Sequence, residues 1–175
     1  MNMQTHRLLE QLRDKYGPGG FGKIAQKLLA LSFGEIGFTH IVERGVEGVD
    51  IDIPGRGDDK FAVEVKTTDT TSFALRVSNV QALRMRAHDG YKPLIAALRL
   101  APLEKWILAR IPLSELSPGV VQVYRLRAYR MAGTERVLAP AFDRIVAEHF
   151  RGTLISGQQY LSEQLEQTGI EVRSF

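Results

Sequence analysis

The chain contains no cysteine. That excludes a disulfide framework and any zinc site with thiolate ligands, and a cytoplasmic setting is expected. No apolar run reaches the roughly 18 residues that would mark a membrane-spanning helix, so no membrane partner is expected. The opening stretch, MNMQTHRLLEQLRDKYG, alternates charged and apolar residues and does not read as a secretory signal. Histidines occur only at 6, 40, 88 and 149, with no metal-ligand spacing and no His-Asn-His arrangement. No Gly-x-x-x-x-Gly-Lys-Ser/Thr loop is present, so no nucleotide cofactor is expected. Internal repeats and low-complexity segments are absent too.

What remains is an ordinary globular composition. The 175 residues are 44% hydrophobic and 25% charged, enough for one domain with an extension. A formal net charge of +3 is compatible with a polyanionic partner without requiring one.

The most informative stretch is GVDIDIPGRGDDKFAVEVKTT, from Gly48 to Thr68. Val49-Asp50-Ile51-Asp52-Ile53 alternates apolar and acidic residues, the period of a strand with one buried face. Pro54 to Asp59 is dense in turn formers. Ala62 to Lys66 alternates again, placing Val63 and Val65 on one face and Glu64 and Lys66 on the other. Two adjacent strands can therefore bring Asp50, Glu64 and Lys66 together. Paired carboxylates are hard oxygen ligands of the kind Mg2+ takes, and a lysine beside them can orient a water or neutralise developing charge. The same residues also suit a plain ion pair on a solvated sheet face.

Val49-Asp50 followed by Glu64-Val65-Lys66, with thirteen residues between the two acids, resembles the half-motifs of the PD-(D/E)XK nuclease superfamily. The resemblance covers roughly residues 19–111 and is nearest to Holliday-junction resolvases and resolvase-like restriction endonucleases. Valine stands where the family has proline before the aspartate. The resemblance implies an α/β, restriction-endonuclease-like core: a mixed β-sheet flanked by helices, with an α+β C-terminal extension. It implies Asp50, Glu64 and Lys66 as catalytic residues, with Asp50, Glu64 and the Val65 carbonyl holding Mg2+ or Mn2+. DNA is the implied partner, and a homodimer is expected by analogy with enzymes that make paired cuts.

Taken in order, the chain reads as an N-terminal helix and linker (1–20), a nuclease-like core (21–111) and an extension packed on that core (112–175). Leu8, Leu9 and Leu12 mark a first short helix, which Gly17-Pro18-Gly19-Gly20 breaks. Phe21 to Phe33 has strong helical spacing. The family often carries an acid on this helix. Gln26 is the matching position, able to bond a metal-bound water or to lie on the surface. Phe38–Val42 is the expected first strand, followed by a turn in which Glu47 is a candidate third acid. Asp52, on the same strand face as Asp50, is another accessory candidate.

Beyond Lys66, Thr67 and Thr68 begin a hydroxyl-rich segment that could contact phosphates. Ser78 and Gln81 form a capping-box signature for a helix to His88 that projects Arg84; Gln81 is the last accessory candidate. Apolar runs at 93–98 and 105–111 read as strands. Arg125 and Arg127, interleaved with Tyr124 and Tyr129, read as an edge hairpin suited to tracking phosphates. Pro140 marks the start of a helix ended by Gly152, and Ser156 starts another ended by Gly169. The leading function is a Mg2+-dependent DNA endonuclease; the alternative is a nuclease-fold DNA-binding module without catalysis.

Overall fold

The computed structural model describes residues 1–45, 48–55, 59–100 and 104–173. In chain order its elements are α1 (Met3–Glu35), β1 (Val42–Arg44), β2 (Ile51–Ile53), β3 (Phe61–Thr68), β4 (Ser72–Leu75), α2 (Val77–His88), β5 (Lys92–Arg99), β6 (Ile107–Arg110), β7 (Gly119–Gln122), a 3-10 helix (Val123–Tyr129), α3 (Ala132–Gln167) and β8 (Glu171–Arg173).

Six strands form a mixed sheet in the order β6-β5-β3-β2-β1-β8. β3 runs parallel to β5 and β1 parallel to β8; the other neighbours are antiparallel. The period-2 alternation of β3 and β5 divides the core. Val63, Val65, Leu94 and Ala96 pack with α1 and α3 on one face, together with Leu28, Leu29 and Phe142. Ala62, Ile95 and Ala97 pack on the other face with Val80 and Leu83 of α2 and with Phe73 and Leu75 of β4. The chain is thus an α/β protein whose mixed sheet is flanked by helices.

Both long helices are kinked at glycine. Gly17 takes φ 69°, ψ 172°, a conformation essentially reserved for glycine, and Pro18 restarts the helix at once. The expected four-residue break is therefore a single-residue kink, with Gly19 and Gly20 already helical. α3 bends at Gly157, with φ 59°. Tyr16 lies against that bend: its hydroxyl bonds the carbonyls of Thr153 (2.8 Å) and Leu154 (2.9 Å), and Lys15 also donates to the second. The two kinks are thus fastened to each other.

Several boundaries differ from the sequence reading. The first strand is Val42–Arg44, not Phe38–Val42, because Glu43 turns inward to a buried partner. Pro140 lies inside α3 and Gly152 does not end it. Residues 119–122 pair backward with β4 rather than forming a hairpin with later residues, and Arg125 and Arg127 lie on the 3-10 helix.

Candidate active site

Antiparallel pairing of β2 with β3 sets Ile51 against Val63, which brings Asp50, just before β2, beside Glu64. Asp50 Oδ2 accepts the Val65 backbone N–H at 2.7 Å. In an extended strand a residue's N–H and C=O point to the same edge, so the Val65 carbonyl is directed to the side on which Asp50 lies. Glu64 is 2% exposed; its Oε1 accepts from Lys66 Nζ at 2.7 Å, while Oε2 is buried with no hydrogen-bond partner among the described residues. Asn79 of α2 steadies the lysine from the other side, its Oδ1 lying 3.3 Å from Lys66 Nζ. Lys23 of α1 adds a second ammonium, 3.6 Å from Asp50 Oδ1. These groups line a cleft of about 1510 Å³ between α1 and α2.

The electrostatics follow from burial. Desolvation and then the nearby Asp50 charge push Glu64 up to about 7, although Lys66 and Lys23 oppose the shift. Asp50 is also raised, chiefly by burial, against the Val65 N–H and both lysines. Two carboxylates that resist ionisation, one with an orphaned oxygen, form a place where a divalent cation would be favourable. Among the described residues no group of three or more His, Asp or Glu is placed to hold a metal ion. The donor set fits Mg2+, which takes one or two carboxylates and keeps several waters, better than a metal needing a full protein cage.

The other expected site residues fare differently. Gln26 is not a surface residue: it lines the cleft, where its Oε1 accepts from Lys23 Nζ at 3.1 Å. It is 2% exposed, and its Nε2 lies 2.6 Å from Glu43 Oε1, 2.8 Å from the Arg44 carbonyl and 3.1 Å from the Asp50 carbonyl. It ties α1 to β1 and holds the backbone that carries Asp50. Asp52 is not at the acidic pair, because Arg44 and Arg86 claim both of its oxygens. Gln81 lines the cleft but does not form the helix cap; Asn79 Oδ1 accepts the Arg76 N–H at 2.9 Å instead, since α2 starts at Val77. Glu47 lies outside the described residues.

Thr67 lines the cleft, but the Thr68 hydroxyl donates to the Ser72 carbonyl at 2.9 Å and closes the turn after β3. Arg84 points away from the cleft to the Leu116 carbonyl, at 2.9 Å. Arg125 and Arg127 do not line the cleft, and Arg127 lies 3.6 Å from Glu104.

Residues not anticipated from sequence are Lys23, Asn79, Arg44, Arg86 and the buried pair Lys27–Glu43, at 2.7 Å. One signal was available. Residues 24–33 are buried all round the helix, so a Gln and a Lys within so apolar a run require partners.

No protein-family model matches the chain, and a search of curated proteins finds no match. Among solved structures, the chain is similar to the Holliday junction resolvase Hjc of Archaeoglobus fulgidus. The match has 20% identity and a TM-score of 0.47, and covers 61% of this chain and 93% of the resolvase.

Proposed function

We propose that the chain is a divalent-metal-dependent nuclease that hydrolyses DNA phosphodiester bonds. The observation that carries this reading is the orphaned, buried Oε2 of Glu64, beside Asp50 and backed by Lys66. Asp50, Glu64 and the Val65 carbonyl would hold Mg2+, with Mn2+ able to substitute. When bound, the ion lowers the pKa of a water and stabilises charge on a phosphoryl oxygen. Lys66, held between Glu64 and Asn79, orients the attacking water or offsets the negative charge that develops on the phosphate. Lys23 offers a second positive charge at the same point. Gln26 positions the Asp50 backbone without touching the reacting atoms. Resolvase-like and restriction-like action share this machinery, and paired cuts by either would call for a two-fold dimer.

The test uses wild type, Glu64→Ala and Lys66→Ala with supercoiled plasmid and a synthetic four-way junction, in Mg2+, Mn2+ and EDTA. Metal-dependent cutting by wild type is expected, falling at least about 100-fold in Lys66→Ala. Wild type that binds but never cuts would overturn catalysis in favour of a binding module; full activity in Lys66→Ala would overturn the assignment of the lysine. Sedimentation should give twice the mass of one chain, and a single-chain mass at micromolar concentration would refute the dimer.

A further inference from the structure

Asp52 is an acid in the wrong place to serve the acidic pair, yet it is 1% exposed and fully engaged. Its Oδ2 accepts from Arg44 Nε at 3.0 Å and from Arg44 Nη2 at 2.7 Å. Its Oδ1 accepts from Arg86 Nε at 2.9 Å. Arg86 is fixed further by Asp89, at 2.7 Å from its Nη1, and by the Tyr91 ring, whose centroid lies 3.9 Å from the guanidinium carbon. One buried carboxylate therefore holds two guanidiniums from different elements, one on β1 and one on α2.

Neither guanidinium is used up. Arg44 Nη1 and Arg86 Nη2 make no hydrogen bond to the described residues, and both arginines line the same cleft as Asp50 and Glu64. A buried ion pair is seldom worth more to stability than a well-packed apolar group of the same volume. What Asp52 adds is direction. It fixes two planar forks before any ligand arrives, so little rotamer freedom is lost on binding. Guanidinium edges held in this way match phosphate oxygens.

We propose that Arg44 and Arg86, oriented by Asp52, form a phosphate clamp for the nucleic-acid backbone beside the acidic pair. The proposal rests on the nuclease reading. Asp52 is two residues along the strand from Asp50, an offset of about 6.5 Å. Both arginines share the cleft with the acidic pair, so the clamp grips a backbone phosphate close to the one that is cut. Arg173 sits opposite Arg44 in the β1–β8 register but is paired to Glu171, at 2.6 Å, and is not part of the clamp.

The experiment measures duplex binding in EDTA as salt is varied from about 50 to 200 mM, for wild type, Arg44→Gln, Arg86→Gln and the double variant, each checked for folding by thermal melting. Each lost phosphate contact should lower the slope of log K against log salt by about 0.9, and the double variant by about twice that. Duplexes with one neutral methylphosphonate, placed in turn along the strand, give a second reading. Wild type should be most sensitive at a phosphate close to its mapped cut, and the double variant should lose that sensitivity. An unchanged slope in a folded double variant would overturn the clamp. So would uniform sensitivity of wild type along the strand, a result obtained even if the variants do not fold. Wild type that cuts DNA while the variants keep its slope refutes the clamp alone; wild type that neither binds nor cuts refutes both proposals.

Discussion

Glu64 has one oxygen satisfied by Lys66 and one left dry, and this imbalance has a measurable consequence in the metal-free protein. Its folded pKa, about 7, lies above its ordinary 4.5. The folded state therefore binds the proton more tightly than the unfolded state does, so this group's contribution is present below pH 4.5 and is lost as pH rises through about 7. Melting in EDTA should accordingly show a lower midpoint at pH 8 than at pH 5 from this group. Glu64→Gln should shrink that difference, and Mg2+ should restore the wild-type midpoint at pH 8. A difference just as large in Glu64→Gln would show that another group sets it.

Lys27 and Glu43 make a second residue-scale case. Lys27→Met leaves Glu43 charged and buried with only Gln26 as partner, a loss of about 3 kcal/mol in denaturant unfolding, whereas adding Glu43→Leu should recover most of it. Additive losses would count against the pairing. At this scale the meeting of Asp50, Glu64 and Lys66 on neighbouring strands was legible, because strand alternation and spacing are local properties. The fate of Asp52 was not, since Arg44 and Arg86 are 8 and 34 residues away in sequence.

Among the elements, β3 was readable because its alternation is unbroken from Ala62 to Lys66, and α2 because Ser78 and Gly90 bracket it, although Asn79 and not Gln81 makes its cap. β1 was misplaced because hydropathy treats Glu43 as a surface residue, when its burial depends on Lys27 of another element. The sequence reading ended one helix at Gly152 and began another at Ser156, where the structure has one helix bent at Gly157; the contact of that bend with Tyr16 of α1 was not legible. Tyr16→Phe should cost about 1 kcal/mol in denaturant unfolding by removing the hydroxyl that bonds the Thr153 carbonyl; the Leu154 carbonyl keeps Lys15. Gly157→Ala should cost about 1–3 kcal/mol, because its φ of 59° is unfavourable for alanine and the new methyl would sit 3.1 Å from the Tyr16 ring. A neutral result for Gly157→Ala would mean that the bend can move along the helix.

Across the whole molecule, the acidic pair and Lys66 lie early in the chain, whereas the helix that covers the back of α1 and the strand that docks beside Arg44 lie late. Chains ending after residue 131 should leave the back of α1 bare and show no cooperative unfolding; a sharp transition in such a chain would show that α3 is dispensable. The order in which the chain is made then matters. A ribosome delivers the acidic pair and Lys66 long before α3 and β8, so a growing chain carries these side chains before the elements that pack behind α1 and beside β1. On the nuclease reading, the kinked pair of long helices acts as a timer as well as a brace: cutting is withheld until synthesis has passed α3 and β8.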